Sequence, residues 1–218
     1  MNKKHEKFKQ ILLEYNQKVN LTAITEQKEI DIKHFYDSLY AEKYIPQNAQ
    51  VADIGSGGGF PAIPLCIQRE DIHITLIESV AKKCAFLEYA VKELGLKNAK
   101  IVCGRAEILA KEKEYREKFD IVTARAVAKL NTLSEYCIPF VKVNGLFIAY
   151  KAIVSEEIES GKNAVNILGG EVIKIEEYVL PEGMGTRTLI VSQKRKPTPA
   201  AYPRGMGKER SKPLGENS

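Results

Sequence analysis

The spacing of apolar residues predicts two helices at the start of the chain. Five apolar side chains recur every three or four residues and therefore share one face of an amphipathic helix: Phe8, Ile11, Leu12, Tyr15 and Val19. This helix is expected to end near Asn20. A second helix is expected from a cap at Thr25 to about Tyr44, where Pro46 stops it. A helical extension therefore precedes the first predicted strand.

From residue 51 onward, apolar strand patterns alternate with helical patterns. Strands are predicted at residues 51–55, 72–78, 99–103, 119–124, 146–150, 171–180 and 186–192. Helices are expected between them, including one from about 155 to 168. Residues 181–185 contain Pro and Gly and join the last two strands, so a hairpin is expected there. The chain is therefore predicted to be α/β, with a mostly parallel seven-stranded sheet, an antiparallel edge hairpin and an N-terminal helical extension.

The chain is expected to have three parts: residues 1–48 as the helical extension packed on the core, residues 49–193 as the α/β domain, and residues 194–218 as a basic, Pro-containing tail. The whole net charge of +5 comes from the tail, whose basic residues are Lys194, Arg195, Lys196, Arg204, Lys208, Arg210 and Lys212. Such a segment is not expected to form a core, and it is suited to lying along a polyanion. A solvated, solubilising terminus is the alternative.

A glycine-rich loop follows the first predicted strand. Residues 53–60 read Asp-Ile-Gly-Ser-Gly-Gly-Gly-Phe. Glycine permits positive φ and lets the backbone approach a ligand with no Cβ in the way. Gly55, Gly57 and Gly59 therefore predict a ligand-binding loop, and a tight turn between strand and helix is the alternative.

Three residues around this loop narrow the choice of ligand. Asp53 could accept hydrogen bonds from the loop amides or from a ligand ammonium group. Glu78 ends the second predicted strand, where doubly wound folds bind the ribose hydroxyls of an adenosine. Phe60 replaces the last glycine of the dinucleotide fingerprint, which argues against a pyrophosphate and hence against NAD or FAD. An adenosine ligand without a pyrophosphate remains, and S-adenosylmethionine fits.

Residues after the third and fourth strands are further candidates, because ligands bind at the carboxyl ends of such strands. Ala106 and Glu107 are expected to frame an adenine edge, although a plain helix start is equally compatible. Arg125 is expected to hold guanine, the cofactor carboxylate or a phosphate, and a surface salt bridge is its alternative. Its replacement is expected to reduce turnover far more than it disturbs the fold.

Composition favours a monomeric enzyme of the cytoplasm. The chain is 44% hydrophobic and 28% charged, as in ordinary soluble proteins, and its apolar runs are too short to cross a membrane. The cysteines have no C-x-x-C spacing and are expected to be reduced and buried: Cys66, Cys84, Cys103 and Cys137. The histidines are too scattered to build a zinc site with them, so no metal is expected.

Six stretches together resemble the bacterial glucose-inhibited division protein B family. They are Asn-Leu-Thr at 20–22, His-Phe-Tyr-Asp-Ser-Leu at 34–39, the glycine loop with Pro61, Gly-Arg-Ala-Glu at 104–107, Ala-Arg-Ala-Val at 124–127, and the tail from 198 to 214. Members of this family are guanine-N7 methyltransferases of small-subunit ribosomal RNA. The resemblance implies a Rossmann-like class I methyltransferase fold over residues 49–193. It also implies S-adenosylmethionine as cofactor, S-adenosylhomocysteine as product, and ribosomal RNA or the small ribosomal subunit as partner.

The resemblance also implies roles for particular residues. Cofactor contacts would fall on Gly55, Phe60, Ala106, Glu107 and Arg125, beside the loop candidates Asp53, Gly57, Gly59 and Glu78. The basic residues of the tail would contact RNA, and His34 is a further candidate. His34, Asp37 and Ser38 share a face of the second predicted helix and either line the pocket or only fix the helix. No general base is expected, because N7 of guanine already carries an in-plane lone pair.

Two other functions stay open at this point. The chain could methylate a small molecule or a protein, with the basic tail incidental. It could also be a non-catalytic RNA-binding protein on the same fold.

Overall fold

A seven-stranded sheet forms the centre of the fold. The computed structural model describes residues 3–125, 127–152 and 157–216. The strands are β1 (Gln50–Ile54), β2 (His73–Glu78), β3 (Ala99–Cys103), β4 (Phe119–Arg125), β5 (Val141–Lys151), β6 (Gly170–Val179) and β7 (Thr186–Lys194), in the order β3-β2-β1-β4-β5-β7-β6. All neighbours from β3 to β5 pair in parallel, whereas β7 pairs antiparallel with β5 and with β6. The predicted mostly parallel sheet with an antiparallel edge is confirmed.

The strand order reverses at β1, which lies between β2 and β4. Ile54 pairs with Ile77 on one side and with Ala124 on the other, so the three strands end at the same edge. Ligands of open α/β sheets bind in the crevice at such a switch point. The fold therefore brings Asp53, Glu78 and Arg125 to one edge of the sheet.

Helices cover both faces of the sheet. The α-helices are α1 (Lys3–Asn16), α2 (Gln27–Ile30), α3 (Asp37–Leu39), α4 (Ala62–Gln68), α5 (Ala81–Leu94), α6 (Ala106–Leu109), α7 (Leu130–Cys137), α8 (Ile158–Ile167) and α9 (Lys208–Ser211). One hydrophobic cluster joins Phe8 of α1 to Phe86 of α5, and a second contains Leu133 of α7 and Val165 of α8. Since α1 is buried in the first cluster together with the sheet, it belongs to the core of the molecule.

The N-terminal segment departs from the predicted helices. α1 ends at Asn16, because the Asn16 side chain accepts hydrogen bonds from the backbone N–H groups of Leu21 and Thr22 at 2.9 and 3.0 Å and turns the chain. Instead of one second helix, α2 is followed by a π-helix over Asp31–Tyr36, then α3, then a 3₁₀-helix over Glu42–Tyr44. The cap of α2 is Glu26 and not Thr25. The π-helix is a widened turn of a kind found often at functional sites.

Two predicted features fall on parts of the chain that are not described. The predicted start of the helix near Ser155 lies outside the described residues, within which α8 begins at Ile158. Ala126 of the 124–127 motif also lies outside them. Among the described helices, none has the length and apolar character needed to span a membrane.

The expectation of four reduced, buried cysteines is wrong for two of them. Cys84 in α5 and Cys103 in β3 form a disulfide with their Cα atoms 5.9 Å apart, and Cys103 is exposed. The two residues are 19 positions apart and meet because α5 packs beside the end of β3, which their spacing does not reveal. Cys66 and Cys137 are free and buried, and burial raises the pKa of both thiols.

The tail packs onto the domain, contrary to the expectation that it would form no core. Leu214 belongs to the hydrophobic cluster around α7. The guanidinium of Arg116 donates to the backbone oxygens of Thr198 and Tyr202, each at 2.9 Å. The tail is therefore held through its backbone carbonyls by an arginine of the α/β domain, an arrangement that the composition of the tail does not reveal.

Candidate active site

The glycine loop after β1 has the backbone that its sequence predicts. Gly55, Gly57 and Gly59 have φ of 73°, 53° and 87°, in the left-handed region that favours glycine. A Cβ added at Gly55 would lie 2.7 Å from a methyl group of Val127, and one at Gly59 would lie 2.6 Å from Ile63. The loop therefore has no room for side chains at these two positions, and its backbone faces the crevice directly.

Asp53, at the end of β1, is almost completely buried, with 1% exposure. Its Oδ1 accepts a hydrogen bond from the Thr123 hydroxyl at 2.8 Å, whereas Oδ2 has no hydrogen-bond partner among the described residues. Burial raises the pKa of Asp53 to about 7. A buried acceptor without a partner is costly, so this carboxyl is suited to receive a donor from a ligand.

Glu78 has a different role from the one its position alone suggests. One carboxylate oxygen accepts from the Gly57 N–H at 2.9 Å, and the other accepts from the N–H groups of Ser79 and Val80 at 2.7 and 2.8 Å. Glu78 therefore fixes the glycine loop to the end of β2. Each carboxylate oxygen has two lone pairs, so three of the four are used, and the oxygen bonded to Gly57 can accept from one ribose hydroxyl.

A cavity of about 350 Å³ lies on the β3 side of Gly55. It is lined by Ala106 and Glu107, as the sequence predicts, and also by Ser79, which follows β2. Tyr136 of α7 and Arg210 of the tail close the cavity from the outside. Sequence analysis missed these two residues as parts of this pocket, because neither follows a strand of the sheet.

A larger cavity of about 610 Å³ lies on the N-terminal side of the same loop. The residues that line it include Thr22, His34, Phe60, Arg125, Tyr150 and Arg187. Gly55 lines both cavities. The glycine loop therefore stands between a smaller pocket beside Ala106 and a larger one beside the N-terminal segment.

Phe60 is the centre of a stack in the larger cavity. The His34 ring is nearly parallel to the Phe60 ring, with centroids 4.4 Å apart and an interplanar angle of 20°. The guanidinium carbon of Arg125 lies 5.0 Å from the Phe60 centroid, within the range of a cation–π interaction. Phe60 is 6% exposed, so its ring mainly supports these two polar side chains.

Arg125 binds the N-terminal segment. Its Nη1 donates to Asp37 Oδ2 at 2.9 Å and to the Lys33 carbonyl at 3.3 Å, and its Nη2 donates to His34 Nδ1 at 3.1 Å. The side chains of Arg125 and Asp37 are 14% and 3% exposed, so this is a buried ion pair and not a surface one. Three of the five N–H groups of the guanidinium are used in these bonds, and two remain for a ligand.

His34 is uncharged in this arrangement. Burial, followed by the charge of Arg125, lowers the pKa of His34 to about 3. Its Nε2 lies 2.8 Å from the Thr22 hydroxyl oxygen. His34 and Asp37 line the cavity, and Ser38 Oγ donates to the His34 carbonyl at 2.5 Å. The face formed by these three residues therefore borders the cavity and is also held by internal hydrogen bonds.

Asp37 connects the site to β6, a strand at the edge of the sheet. Its second oxygen, Oδ1, accepts from the Tyr178 hydroxyl at 2.5 Å, and the Tyr150 hydroxyl donates to the Ser38 carbonyl at 2.8 Å. Burial raises the pKa of both tyrosines, which keeps their hydroxyl groups protonated as donors. Sequence analysis missed Tyr150 and Tyr178 because both lie within strands, where an aromatic residue is ordinary.

The larger cavity has a positively charged rim. Lys33, Lys83, Lys151 and Arg187 line it together with Arg125. Lys33 pairs with Glu29, and Lys151 pairs with Glu157 at 2.8 Å. Sequence analysis did not select these four cations, because they come from four different segments of the chain.

The basic residues of the tail fall into two groups. Lys194 is 1% exposed and donates to Glu117 at 3.1 Å, so it cannot contact RNA as predicted. Arg204 pairs through two nitrogens with the fully buried Glu135, at 2.7 and 3.0 Å. The other basic residues of the tail are exposed: Arg195, Lys196, Lys208, Arg210 and Lys212.

Among the described residues, no group of three or more His, Cys, Asp and Glu side chains could hold a metal ion.

Comparison with known proteins identifies the family. The family model described as GidB, rRNA small subunit methyltransferase G, matches residues 1–184. The chain belongs to this family. It is therefore a methyltransferase that depends on S-adenosylmethionine. The match includes the N-terminal segment, Asp53, Glu78 and Arg125, and it ends before β7.

Relatives in the family resemble almost the whole chain. The ribosomal RNA small subunit methyltransferase G of Geobacillus sp. (strain WCH70) is 45% identical over 212 residues, covering 96% of this chain and 89% of the relative. That of Lactobacillus helveticus (strain DPC 4571) is 46% identical over 222 residues, covering 98% and 92%.

Solved structures agree on the fold. TYW2 from M. jannaschii, crystallised in complex with AdoMet, aligns with a TM-score of 0.59 at 19% identity, over 82% of this chain and 80% of that one. A precorrin-6y C5,15-methyltransferase from Geobacter metallireducens aligns with a TM-score of 0.57 at 16% identity, over 78% and 89%. The predicted class I methyltransferase fold is therefore confirmed.

The residues of the site fit the cofactor of this class. Asp53 Oδ2 is a buried acceptor without a hydrogen-bond partner in the described part of the chain, so it could accept from the ammonium group of the cofactor. Gly55 and Gly59 leave the loop backbone bare. The absence of a pyrophosphate-binding glycine at Phe60 agrees with a ligand that has no pyrophosphate.

Proposed function

We propose that this protein transfers the methyl group of S-adenosylmethionine to N7 of a guanine in small-subunit ribosomal RNA, in the cytoplasm. The observation that supports this most directly is the junction of the two cavities at Gly55. The smaller cavity has the volume for an adenosine, and the larger one offers a flat stack and a positive rim for a base attached to RNA. A methyl donor held across Gly55 would face that base.

The cofactor would be held by the loop and by the ends of the neighbouring strands. Ala106 and Glu107 would contact its adenine, and Glu78 its ribose. The backbone of Gly55, Gly57 and Gly59 would follow the ligand, with Asp53 below accepting from its ammonium group. Phe60 and Arg125 would lie at its methionine end, beside the larger cavity.

The cofactor supplies an electrophilic methyl group when bound. N7 of guanine uses its in-plane lone pair, so the N7–C bond forms as the C–S bond breaks, and no proton leaves the ring. The methylated base takes the positive charge, and S-adenosylhomocysteine departs as a neutral thioether. The residues of this chain therefore orient the base and exclude water, and orientation of that kind contributes roughly 7 to 11 kcal/mol to catalysis.

Arg125 would act in this reaction as a positioning residue, with no general base. Its bonds to Asp37, His34 and Lys33 fix the guanidinium in one place at the cavity wall. Two N–H groups that these bonds do not use could donate to the base or to the cofactor carboxylate. His34 is a weak base because its pKa is lowered to about 3, and each carboxylate oxygen of Asp37 already accepts from a donor, so neither group is suited to take the proton of a substrate.

RNA would be held outside the pocket by charge. The proposed phosphate contacts are the exposed basic residues of the tail: Arg195, Lys196, Lys208, Arg210 and Lys212. Lys33, Lys83 and Arg187 add positive charge at the rim of the larger cavity. His34 stays a candidate for contact with the RNA only at the base itself, because it is 8% exposed.

Mass spectrometry of ribosomal RNA from cells with and without this gene tests the proposal. We expect one 7-methylguanosine to disappear from the small-subunit RNA when the gene is deleted, and to return when the purified protein and S-adenosylmethionine are added. Unchanged 7-methylguanosine in the deletion strain, together with methylation of a small molecule or a protein by the purified enzyme, would contradict it.

A further inference from the structure

The Thr22 hydroxyl lies in the larger cavity at the end of a chain of hydrogen bonds that begins at Arg125. A guanidinium can only donate, so His34 Nδ1, 3.1 Å from Arg125 Nη2, accepts. An uncharged imidazole has one N–H group, which must therefore be on Nε2. That N–H donates to the Thr22 oxygen at 2.8 Å. The donor-only character of Arg125 thus fixes the direction of every bond up to Thr22.

The Thr22 oxygen accepts twice. In addition to His34, the backbone N–H of Ile24 donates to it at 3.0 Å. A hydroxyl oxygen has two lone pairs and one hydrogen, so both lone pairs are used and only the hydrogen is left to form a bond. Thr22 is therefore a donor and not an acceptor towards anything that enters the cavity.

The position of Thr22 is fixed by its own backbone. The Asn16 side chain accepts from the Thr22 N–H at 3.0 Å and donates to the Thr22 carbonyl at 2.9 Å. A Cβ added at Gly58 would lie 3.4 Å from the carbonyl oxygen of Leu21, so the Thr22 segment packs directly against the glycine loop. The hydroxyl is thus preorganised next to the place where the methyl donor would lie.

We propose that Thr22 is a specificity-determining residue, whose hydroxyl donates to O6 of the target guanine. This inference rests on the proposed N7 methylation. O6 and N7 are neighbouring acceptors on one edge of guanine, whereas adenine carries an amino donor in place of O6. A hydroxyl that can only donate therefore pairs with guanine and meets the adenine amino group donor to donor. The bond to O6 leaves the N7 lone pair free for the methyl group.

Paired changes in the enzyme and in the base test this contact. The wild type, Thr22→Val and Thr22→Ser are assayed on a synthetic RNA that carries either guanine or 2-aminopurine at the methylated position. 2-Aminopurine lacks O6 and keeps N7. We expect kcat/KM of the wild type to fall about 10-fold with 2-aminopurine, and that of Thr22→Val to fall about 10-fold with guanine and no further with 2-aminopurine. Thr22→Ser keeps the hydroxyl and should retain both wild-type values within about threefold.

Two controls separate this contact from other effects. Thr25→Val, at an exposed position of the same segment, should behave as the wild type on both RNAs. Calorimetry should give Thr22→Val the cofactor affinity of the wild type. Losses that multiply in Thr22→Val with 2-aminopurine would overturn the contact with O6, as would a loss of cofactor affinity that accounts for the fall in kcat/KM. Absence of 7-methylguanosine from the wild-type reaction with guanine would instead overturn the proposed function, and this inference with it.

Discussion

The two sides of the glycine loop are built in different ways. On the side of the smaller cavity, Gly55 and Ala106 follow strands of the sheet and Glu78 ends β2, and local backbone geometry holds them. On the side of the larger cavity, Arg125 reaches across to Asp37 and His34, which are 88 and 91 positions away in the chain. The first side uses strand ends of a fold that the aligned methyltransferase structures share, whereas the second depends on side-chain pairs between distant segments of this chain.

This difference suggests a division of tasks. A backbone cradle at a strand end suits a cofactor that many enzymes use, because it requires only glycines and an acidic strand end. Selection of one base suits a wall made of side chains, because donors and acceptors must be placed one by one. Changes in the glycine loop and the strand ends should therefore affect cofactor binding. Changes in Arg125 and the side chains that it contacts should affect methylation of the RNA and the attachment of the N-terminal segment.

The largest effect is expected from Gly55→Ala. An alanine at φ 73° is strained, and its Cβ would overlap Val127 at 2.7 Å, so the loop must move. We expect cofactor affinity to fall by more than about 100-fold and the unfolding free energy by about 2 kcal/mol. Calorimetry and denaturant titration measure the two effects.

Gly95→Ala is the matched control for this change. Gly95 also has positive φ, at 60°, but no atom of residues 3–125, 127–152 or 157–216 lies within 4 Å of an added Cβ. It should lose only about 1 kcal/mol of stability and keep its cofactor affinity. Equal losses of cofactor affinity in both variants would show that backbone strain alone, and not the close packing at Gly55, governs the site.

The next largest effect is expected from Arg125→Ala. Removal of one partner from a buried ion pair leaves the other charge without compensation, so the unfolding free energy should fall by about 3 kcal/mol in addition to the loss of turnover. This revises the expectation, from sequence alone, that turnover would suffer far more than the fold. Denaturant titration of Arg125→Ala, Asp37→Ala and the double variant measures the coupling between the two charges.

The exposed pair Arg195 and Glu171 is the comparison for this cycle. Its side chains are 48% and 57% exposed, and the corresponding variants should show a much smaller coupling. If the Arg125 and Asp37 variants were simply additive, the claim that this ion pair attaches the N-terminal segment to the sheet would fail.

The success of sequence analysis follows the same division. The positions of the strands along the chain, the glycine loop and the side chains at the strand ends could be predicted, because each depends on local periodicity and on a general rule for parallel sheets. The π-helix over Asp31–Tyr36 could not, because a continuous helix has the same apolar spacing. The network around Asp37 also could not, since it requires Tyr178 of β6 to meet a residue 141 positions earlier.

The tail shows a second limit. Its charge was read as a surface for a polyanion, yet Lys194 and Arg204 balance the carboxylates Glu117 and Glu135 inside the molecule. Composition counts charges but does not show which acidic partner each of them meets. Only the placement of α7 and of the β3–β4 connection brings those carboxylates beside the tail.

A smaller effect, with a dependence on pH, is expected from Asp53→Asn. Burial raises the pKa of Asp53 from 3.8 to about 7, so the folded state binds its proton more tightly than the unfolded state. Asp53 therefore lowers stability as pH rises from about 4 to 7, and the penalty is fully present above pH 7. We expect Asp53→Asn to be more stable than the wild type at pH 8, with a difference that shrinks as the pH falls from about 7 and vanishes towards pH 4.

Cofactor binding should change in the opposite direction. If the Asp53 carboxylate receives the cofactor ammonium group, wild-type affinity should fall by about tenfold per pH unit below pH 7, as the carboxyl becomes protonated. Affinity of Asp53→Asn should be weaker and independent of pH. Calorimetry between pH 5.5 and 8 measures this, and an equally steep decline in Asp53→Asn would assign the titration to another group.

The smallest effects are expected in the tail, where they test which charges meet RNA. Lys196→Ala and Lys212→Ala remove exposed charges, so each should weaken RNA binding by about twofold to fivefold and reduce the log-log salt slope by about 0.7. Lys194→Met removes a buried charge that Glu117 already balances, so it should alter thermal stability while the salt slope stays that of the wild type. Fluorescence titrations of labelled RNA between 50 and 200 mM salt distinguish the two groups. A salt slope reduced by Lys194→Met alone would mean that the end of β7 opens when RNA binds, because Lys194 lies in that strand and only its release could present the side chain to a phosphate.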